Sequence, residues 1–158
     1  MAHLLRLLVV PSLLLLSSLT AAAQEIPVHV FWQEGCPHCT RAKAALAQIA
    51  EEAPDVRLHL TELTATESDA ALFVETLRHF GITQAAVPMV VIGTDVEIGF
   101  ASGALTAGRY RDMIETCRAA PCADPVAALA QGHAATPGAR IAADPADKAP
   151  ERHVTLPW

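Results

Sequence analysis

Two cysteines separated by two residues are the side chains in this sequence best suited to chemistry. Cys36 and Cys39 enclose Pro37 and His38, directly after a β-branched and aromatic segment and at the start of a segment with helical spacing. Unpaired backbone N–H groups and the positive end of a helix dipole favour a thiolate at that position. We therefore predict that Cys36 is an exposed nucleophile. Cys39, one turn further in, is predicted to be the resolving thiol.

The two residues between the cysteines are predicted to tune the pair. Pro37 fits the first turn of a helix, where its missing N–H leaves no hydrogen bond unmade. His38 is a polar and sometimes cationic neighbour, which favours thiolate over disulfide. A structural disulfide, or a zinc site built from all four thiolates of the chain, is the alternative for such a pair. The position between a strand and a helix favours redox chemistry.

A second cysteine pair, Cys117 and Cys122, has the spacing C-x4-C near the end of the last predicted helix. Cys117 falls on the apolar stripe of that helix, and Pro121 allows the chain to fold back toward it. We interpret this pair as a structural disulfide that clamps the C-terminal part of the chain. A second redox pair that relays electrons is the alternative.

The first 23 residues have the layout of a secretory signal peptide. A positively charged start is followed by an apolar segment and by the small residues 21–23, which predict cleavage near Ala23. An uncleaved membrane anchor is the alternative, but Pro11 and nearby hydroxyl residues leave an apolar run shorter than the ~20 residues that a bilayer needs. The protein is therefore expected to be periplasmic or otherwise exported, where disulfides persist.

Composition limits both the size of the core and the class of partner. The chain has 158 residues, of which 31 are alanine and only seven are aromatic, so one small domain is expected. Its formal net charge of -6 leaves no basic face that could neutralise phosphates, so nucleic acid is not expected as a partner. The remaining histidines, among them His29, His59 and His79, are interpreted as strand-edge or helix-end residues, and no metal site is predicted.

Apolar periodicity predicts an α/β domain over residues 25–122. Strands are predicted at 26–32, 56–63, 87–92 and 96–98, and helices at 37–52, 66–80 and 106–119, which gives the order β-α-β-α-β-β-α. The two βα units predict parallel strands and the hairpin adds an antiparallel edge, so the four-stranded sheet should be mixed. Residues 123–158 are predicted to be a linker or disordered tail, and the alternative for 123–130 is one or two further helical turns.

The sequence VFWQEGCPHC, followed by a helix and by Val87-Pro88 before the third strand, resembles the thioredoxin superfamily. The resemblance covers about 98 residues and implies that Pro88 is cis and that the backbone of Val87 pairs with an extended substrate segment. The chain departs from the family at Val30, where thioredoxin has a buried acid six residues before the first cysteine. Glu34 is nearer to the cysteines but is expected to be exposed.

The resemblance implies an exported thiol–disulfide oxidoreductase that needs no cofactor and acts on protein thiols or disulfides. Its direction stays open. The CPHC tetrapeptide is similar to that of the periplasmic oxidant DsbA, whereas the start FW-x-x-GCPHC with a late cysteine pair resembles periplasmic thioredoxin domains joined to a DsbD- or CcdA-like membrane segment, which implies a membrane electron-transfer partner. A Cu(I)-binding chaperone is the alternative function, although Met-rich and His-rich tracts are absent from the sequence.

Overall fold

The computed structural model describes residues 24–135 of the chain. Its elements are β1 (Ile26–Trp32), α1 (Pro37–Glu52), β2 (Val56–Glu62), α2 (Glu67–His79), β3 (Met89–Ile92), β4 (Asp95–Ile98), α3 (Gly103–Ala119) and α4 (Pro125–Ala135). The predicted signal peptide with its cleavage near Ala23, and the predicted tail beyond residue 135, lie outside the described residues. Between residues 24 and 135, none of the helices is both long and apolar enough to span a membrane.

The four strands form one mixed sheet in the order β2-β1-β3-β4. β1 is parallel to β2, with Ile26 beside Val56, and antiparallel to β3, with Phe31 beside Met89. β3 is also antiparallel to β4. The end of β1 and the start of β3 therefore meet at the same end of the sheet, where α1 begins. The predicted α/β class, the order of the first seven elements and the mixed four-stranded sheet are confirmed. The expectation that both βα units add parallel strands is wrong, because β3 starts at the end of the sheet where β1 ends and therefore runs antiparallel to β1.

Side chains of β1 alternate between two cores on opposite faces of the sheet, because successive residues of a strand point to opposite sides. Val28 and Val30 belong to the first core and Phe31 to the second, and all three are fully buried. Helices α1 and α3 complete the first core with Ala42, Leu46, Ile49, Tyr110, Met113, Ile114 and Cys117. The second core is completed by Phe73, Leu77, Met89, Val91 and Val126.

Hydroxyl side chains fix where two helices begin. Thr66 is the N-cap of α2, and its Oγ1 accepts the N–H of Asp69 at 3.1 Å. Ser102 is the N-cap of α3, where its Oγ accepts the N–H of Leu105 at 3.3 Å. The third helix therefore begins at Gly103, three residues before the predicted start, because the cap lies outside the apolar stripe on which the prediction depended.

The prediction that the folded domain ends at Cys122 is wrong, because residues 125–135 form the helix α4 and are not a linker. Asp124 accepts the N–H of Ala127 at 2.9 Å, and Pro125 occupies the first turn, where proline is favoured. Val126 is 1% exposed in the second core. The chain thus adds a fourth helix that covers the sheet face beside α2.

Candidate active site

Cys36 is the residue at which α1 begins, as the sequence predicts. It is the N-cap of the helix, and its Sγ accepts the backbone N–H of Cys39 at 3.1 Å. Pro37 takes the first helical position, where no backbone donor is needed. The sulfur of Cys36 therefore lies at the positive end of the α1 dipole, and it already satisfies one of the unpaired backbone donors of the first turn.

Cys36 and Cys39 form a disulfide in this structure. Cys36 is half-buried at the surface, whereas Cys39 is 1% exposed beneath the first turn of α1. An incoming thiolate can therefore reach the sulfur of Cys36, and the sulfur of Cys39 is shielded by the protein. This difference in exposure fits the predicted division between an attacking and a resolving cysteine.

The loop before β3 brings a backbone acceptor to the cysteine pair. The carbonyl oxygen of Val87 lies 3.9 Å from Sγ of Cys36, and the Val87–Pro88 peptide bond is cis. Pro88 is buried, and its own carbonyl accepts the N–H of Gly99 at 2.7 Å. The structure therefore brings Val87 and Pro88 next to the disulfide of Cys36 and Cys39. Val87 lies 51 residues after Cys36 in the chain.

His38 is exposed, but its ring is held in place from below. Nδ1 lies 2.8 Å from the carbonyl oxygen of Phe100. Because a carbonyl oxygen can only accept, Nδ1 carries the hydrogen in this contact, and Nε2 makes no hydrogen bond to the part of the chain that the structure describes. Nη2 of Arg41 lies 3.0 Å from the same Nδ1. Because that nitrogen is itself a donor, this is a close contact and not a hydrogen bond.

Phe100 and Arg41 are the neighbours of the site that sequence reasoning missed. The guanidinium carbon of Arg41 lies 6.0 Å from the centroid of the Phe100 ring, so one exposed cation contacts both the ring and His38. Phe100 acts through its backbone carbonyl, which every residue type carries, so its identity gives no signal in the sequence. Only the spacing of Arg41, three residues after His38 on a predicted helix, was readable.

The position six residues before Cys36 is apolar. Val30 is fully buried in the first core. Glu34 is exposed, as predicted, and its backbone N–H lies 3.4 Å from Oε1 of Glu62. Trp32 is half-buried with Nζ of Lys43 3.1 Å above its ring, and its indole N–H has no hydrogen-bond partner among the described residues. A cation and an aromatic ring therefore stand beside this part of β1, and none of the carboxylates in residues 24–135 is buried there.

The second cysteine pair is also a disulfide, between Cys117 of α3 and Cys122. It packs on the turn between β3 and β4, where a Cβ added to Gly93 would meet Sγ of Cys117 at 2.7 Å. The first pair lies beside the start of β3 and the second beside its end. The four residues of β3 separate them by about 13 Å at ~3.3 Å per residue, so one pair cannot attack the other directly.

Comparison with known proteins gives similar solved structures only. No protein-family profile matches the chain, and no curated protein sequence matches it. A protein of Agrobacterium tumefaciens is 20% identical, with a TM-score of 0.48 over 60% of this chain and 46% of that one, so the chain spans less than half of its length.

Two thioredoxins are also among the similar structures. Thioredoxin from Aeropyrum pernix is 19% identical over 58% of this chain and 77% of that chain, with a TM-score of 0.44. Mitochondrial thioredoxin 3 from Saccharomyces cerevisiae, in its oxidised form, is 20% identical over 56% of this chain and 79% of that chain, with a TM-score of 0.40.

Proposed function

We propose that the protein is an exported thiol–disulfide oxidoreductase that exchanges disulfides through Cys36 and Cys39. One observation carries this proposal: a half-exposed cysteine at a helix N-terminus is disulfide-bonded to a buried one, beside the carbonyl of Val87. A purely structural disulfide gains nothing from a helix N-terminus. A thiolate does, because the backbone N–H groups and the dipole stabilise its charge.

The exchange follows from the position of the two sulfurs. In the reducing direction the Cys36 thiolate attacks one sulfur of a substrate disulfide, forms a mixed disulfide and releases the other substrate sulfur as a thiolate. Cys39 then loses its proton and attacks Sγ of Cys36, which forms the Cys36–Cys39 disulfide and releases the second substrate thiolate. The protein loses two electrons and the Cys39 proton. The substrate gains the two electrons, and its two thiolates take up two protons, of which Cys39 releases one and solvent supplies the other. The reverse sequence oxidises a substrate dithiol.

Val87 and Pro88 are proposed to bind the substrate and His38 to tune the cysteines. A carbonyl 3.9 Å from Sγ of Cys36 is placed to accept a backbone N–H from a peptide whose sulfur is joined to Cys36. His38 presents Nε2 because Nδ1 is occupied by Phe100. A polar ring at the mouth of the pair supports the predicted preference for thiolate, and Pro37 adds a rigid first turn.

Export and the redox partner are further parts of the proposal. The signal-peptide layout of residues 1–23 supports export, and it places the cysteines where disulfides persist. An oxidising role would transfer the Cys36–Cys39 disulfide to substrate thiols. A reducing role would require electrons from a membrane electron-transfer domain. Measuring the potential of the pair against a glutathione series decides between the two directions.

The proposed function is tested with single cysteine variants of the full-length protein. Cys36→Ser is expected to abolish both insulin reduction and thiol oxidation, because the nucleophile is lost. Cys39→Ser is expected to accumulate a mixed disulfide with substrate, which is visible by non-reducing electrophoresis, because the resolving step is lost. The double variant Cys117→Ser/Cys122→Ser is the matched control and should keep exchange activity. Full exchange activity in Cys36→Ser would refute the proposal, and stoichiometric Cu(I) binding without exchange by the wild type would favour the chaperone instead.

A further inference from the structure

A buried histidine in the central strand contacts the start of the C-terminal helix. His29 of β1 is 8% exposed, and its Nε2 lies 2.9 Å from Oδ1 of Asp124. The two residues are 95 positions apart in the chain. The prediction that His29 is a strand-edge residue is therefore wrong, because β1 pairs with a strand on each side and His29 faces the second core. Neither side chain takes part in the exchange reaction described above.

The same oxygen of Asp124 has a second hydrogen bond. Oδ1 also accepts the backbone N–H of Ala127 at 2.9 Å, so Asp124 caps the first turn of α4 while it accepts from His29. Val126, between these two residues, is 1% exposed in the second core. The first turn of α4 is thus fixed to the sheet by one capping carboxylate and one buried valine.

Protonation of His29 is opposed by its surroundings. The docked arrangement needs only the neutral ring, because Nε2–H already donates to Asp124, whereas Nδ1 makes no hydrogen bond to the described residues. The His59 ring of β2 stacks on it with 4.7 Å between centroids, and Arg57 precedes His59 on the same face of β2, paired with Glu25. Burial, with a smaller contribution from His59, therefore lowers the pKa of His29 despite the opposing effect of Asp124.

No further charged group faces His29 from the remaining described elements packed on that side. β3 places Val91 beside it, and its own strand adds Phe31. From α2 the side chains in this core are Phe73 and Leu77. A second proton would therefore place a positive charge on a ring that faces apolar side chains, where the Asp124 carboxylate is the group that stabilises that charge.

We propose that His29 and Asp124 form an acid-sensitive latch, which holds α4 on the sheet more tightly when His29 is neutral than when it is protonated. A histidine exposed by undocking of α4 has the ordinary pKa of about 6.5. Because the docked ring binds a proton less well, the docking free energy is fully present above that pH. It decreases as the pH falls below 6.5 toward the lowered pKa of the docked ring, by an amount set by the difference between these two pKa values.

The latch is tested by hydrogen exchange of backbone amides in the full-length protein at pH 7.5 and pH 5.5. Protection factors, which remove the intrinsic pH dependence of exchange, are compared between α4 and β1. Protection of α4 is expected to fall at least about threefold more than that of β1 upon acidification. Equal changes in both elements would indicate global destabilisation and would overturn the latch.

Two substitutions separate titration from packing. His29→Gln keeps a donor near the position of Nε2 but cannot be protonated, so α4 protection should not depend on pH in this variant. His59→Gln removes the stacked ring and leaves the His29–Asp124 bond, so the pH dependence should persist. The same pH dependence in His29→Gln as in the wild type would exclude the latch. If His29→Gln does not fold, the midpoint of α4 opening in the wild type must equal the titration midpoint of His29 Hε1 measured by NMR.

A link to the active site is a consequence that rests on the proposed function. Val126 of α4 and Val87 of the loop before β3 pack in the same core. Release of α4 should therefore loosen Val87, and the exchange rate of the wild type relative to His29→Gln should fall at pH 5.5. A protein without exchange activity whose α4 protection still depends on His29 would refute the oxidoreductase and leave the latch intact.

Discussion

The ring Nδ1 of His38 and the carbonyl oxygen of Phe100 lie 2.8 Å apart and join the mouth of the cysteine pair to the segment before α3. The two residues are 62 positions apart. This bond fixes the ring so that Nε2 is free at the surface. It also ties the first turn of α1 to the segment that leads into α3. The surface around Cys36 is therefore formed by two segments that are distant in the sequence.

Replacement of His38 by alanine is expected to make the Cys36–Cys39 pair more reducing. The substitution removes a polar ring beside the pair that favours the thiolate over the disulfide. We expect a shift of tens of millivolts, where 30 mV corresponds to about 1.4 kcal/mol. Equilibration with a glutathione series measures the potential of the pair. The potential of His38→Gln should lie between those of the wild type and of His38→Ala. An unchanged potential in His38→Ala would remove His38 from the tuning residues.

Gly93→Ala is expected to destabilise the protein. Gly93 has φ +61°, and its new Cβ would stand 2.7 Å from Sγ of Cys117. Backbone strain and the collision with the second disulfide together should cost about 2 kcal/mol or more. Gly108→Ala in α3 is the control, because no atom lies within 4 Å of its Cβ and a helical alanine stabilises by about 0.5–1 kcal/mol. Thermal unfolding should therefore move in opposite directions for the two variants.

Removal of the second disulfide should weaken the fold and spare the reaction. Closing so short a loop stabilises by about 2 kcal/mol in the chain-entropy model, so Cys117→Ser/Cys122→Ser should lower the free energy of unfolding by that order. Exchange by Cys36 and Cys39 should continue at a similar rate, because the pairs lie at opposite ends of β3. Denaturant unfolding and the insulin assay measure the two effects. Loss of steady-state turnover with normal stability would instead indicate an electron relay.

Val126→Ala tests whether α4 is part of the folded domain. Val126 is 1% exposed, and its truncation leaves a cavity in the second core that should cost about 2 kcal/mol. Gln131→Ala, on an exposed position of the same helix, should change the stability by less than about 0.5 kcal/mol. Equal, small effects of both substitutions would show that α4 contributes nothing to the core.

Much of the fold was readable because periodic apolar residues dominate it. The stripe of Tyr110, Met113, Ile114 and Cys117 predicted α3, and the run before Cys36 predicted a buried strand. The chemistry of the cysteines was also readable, because a thiol at the start of a helix is a local feature of the sequence. These predictions needed no knowledge of how distant segments meet.

Contacts between distant segments were not readable. The sequence indicated at most one or two helical turns over 123–130, and the full length of α4 was missed because a single buried valine in an alanine-rich segment gives no periodicity. The His29–Asp124 bond depends on how α4 docks on β1, and the contact of His38 depends on where the chain before α3 passes. Each of these interactions is set by tertiary packing, which decides the partner of a polar side chain after the elements have formed.

The sulfur of Cys36 that caps α1 connects the chemistry of the site to the stability of the whole protein. After reduction, a thiolate at this position would accept the Cys39 N–H as an anion and would interact more favourably with the helix dipole than a disulfide sulfur does. Reduction and unfolding form a closed thermodynamic cycle. The difference in unfolding free energy between the reduced and oxidised proteins therefore gives, after division by nF, the difference in reduction potential between the folded and unfolded cysteine pair. Melting the two forms side by side therefore measures the direction of the reaction without a substrate: a more stable reduced form identifies an oxidant, and a more stable oxidised form identifies a reductant.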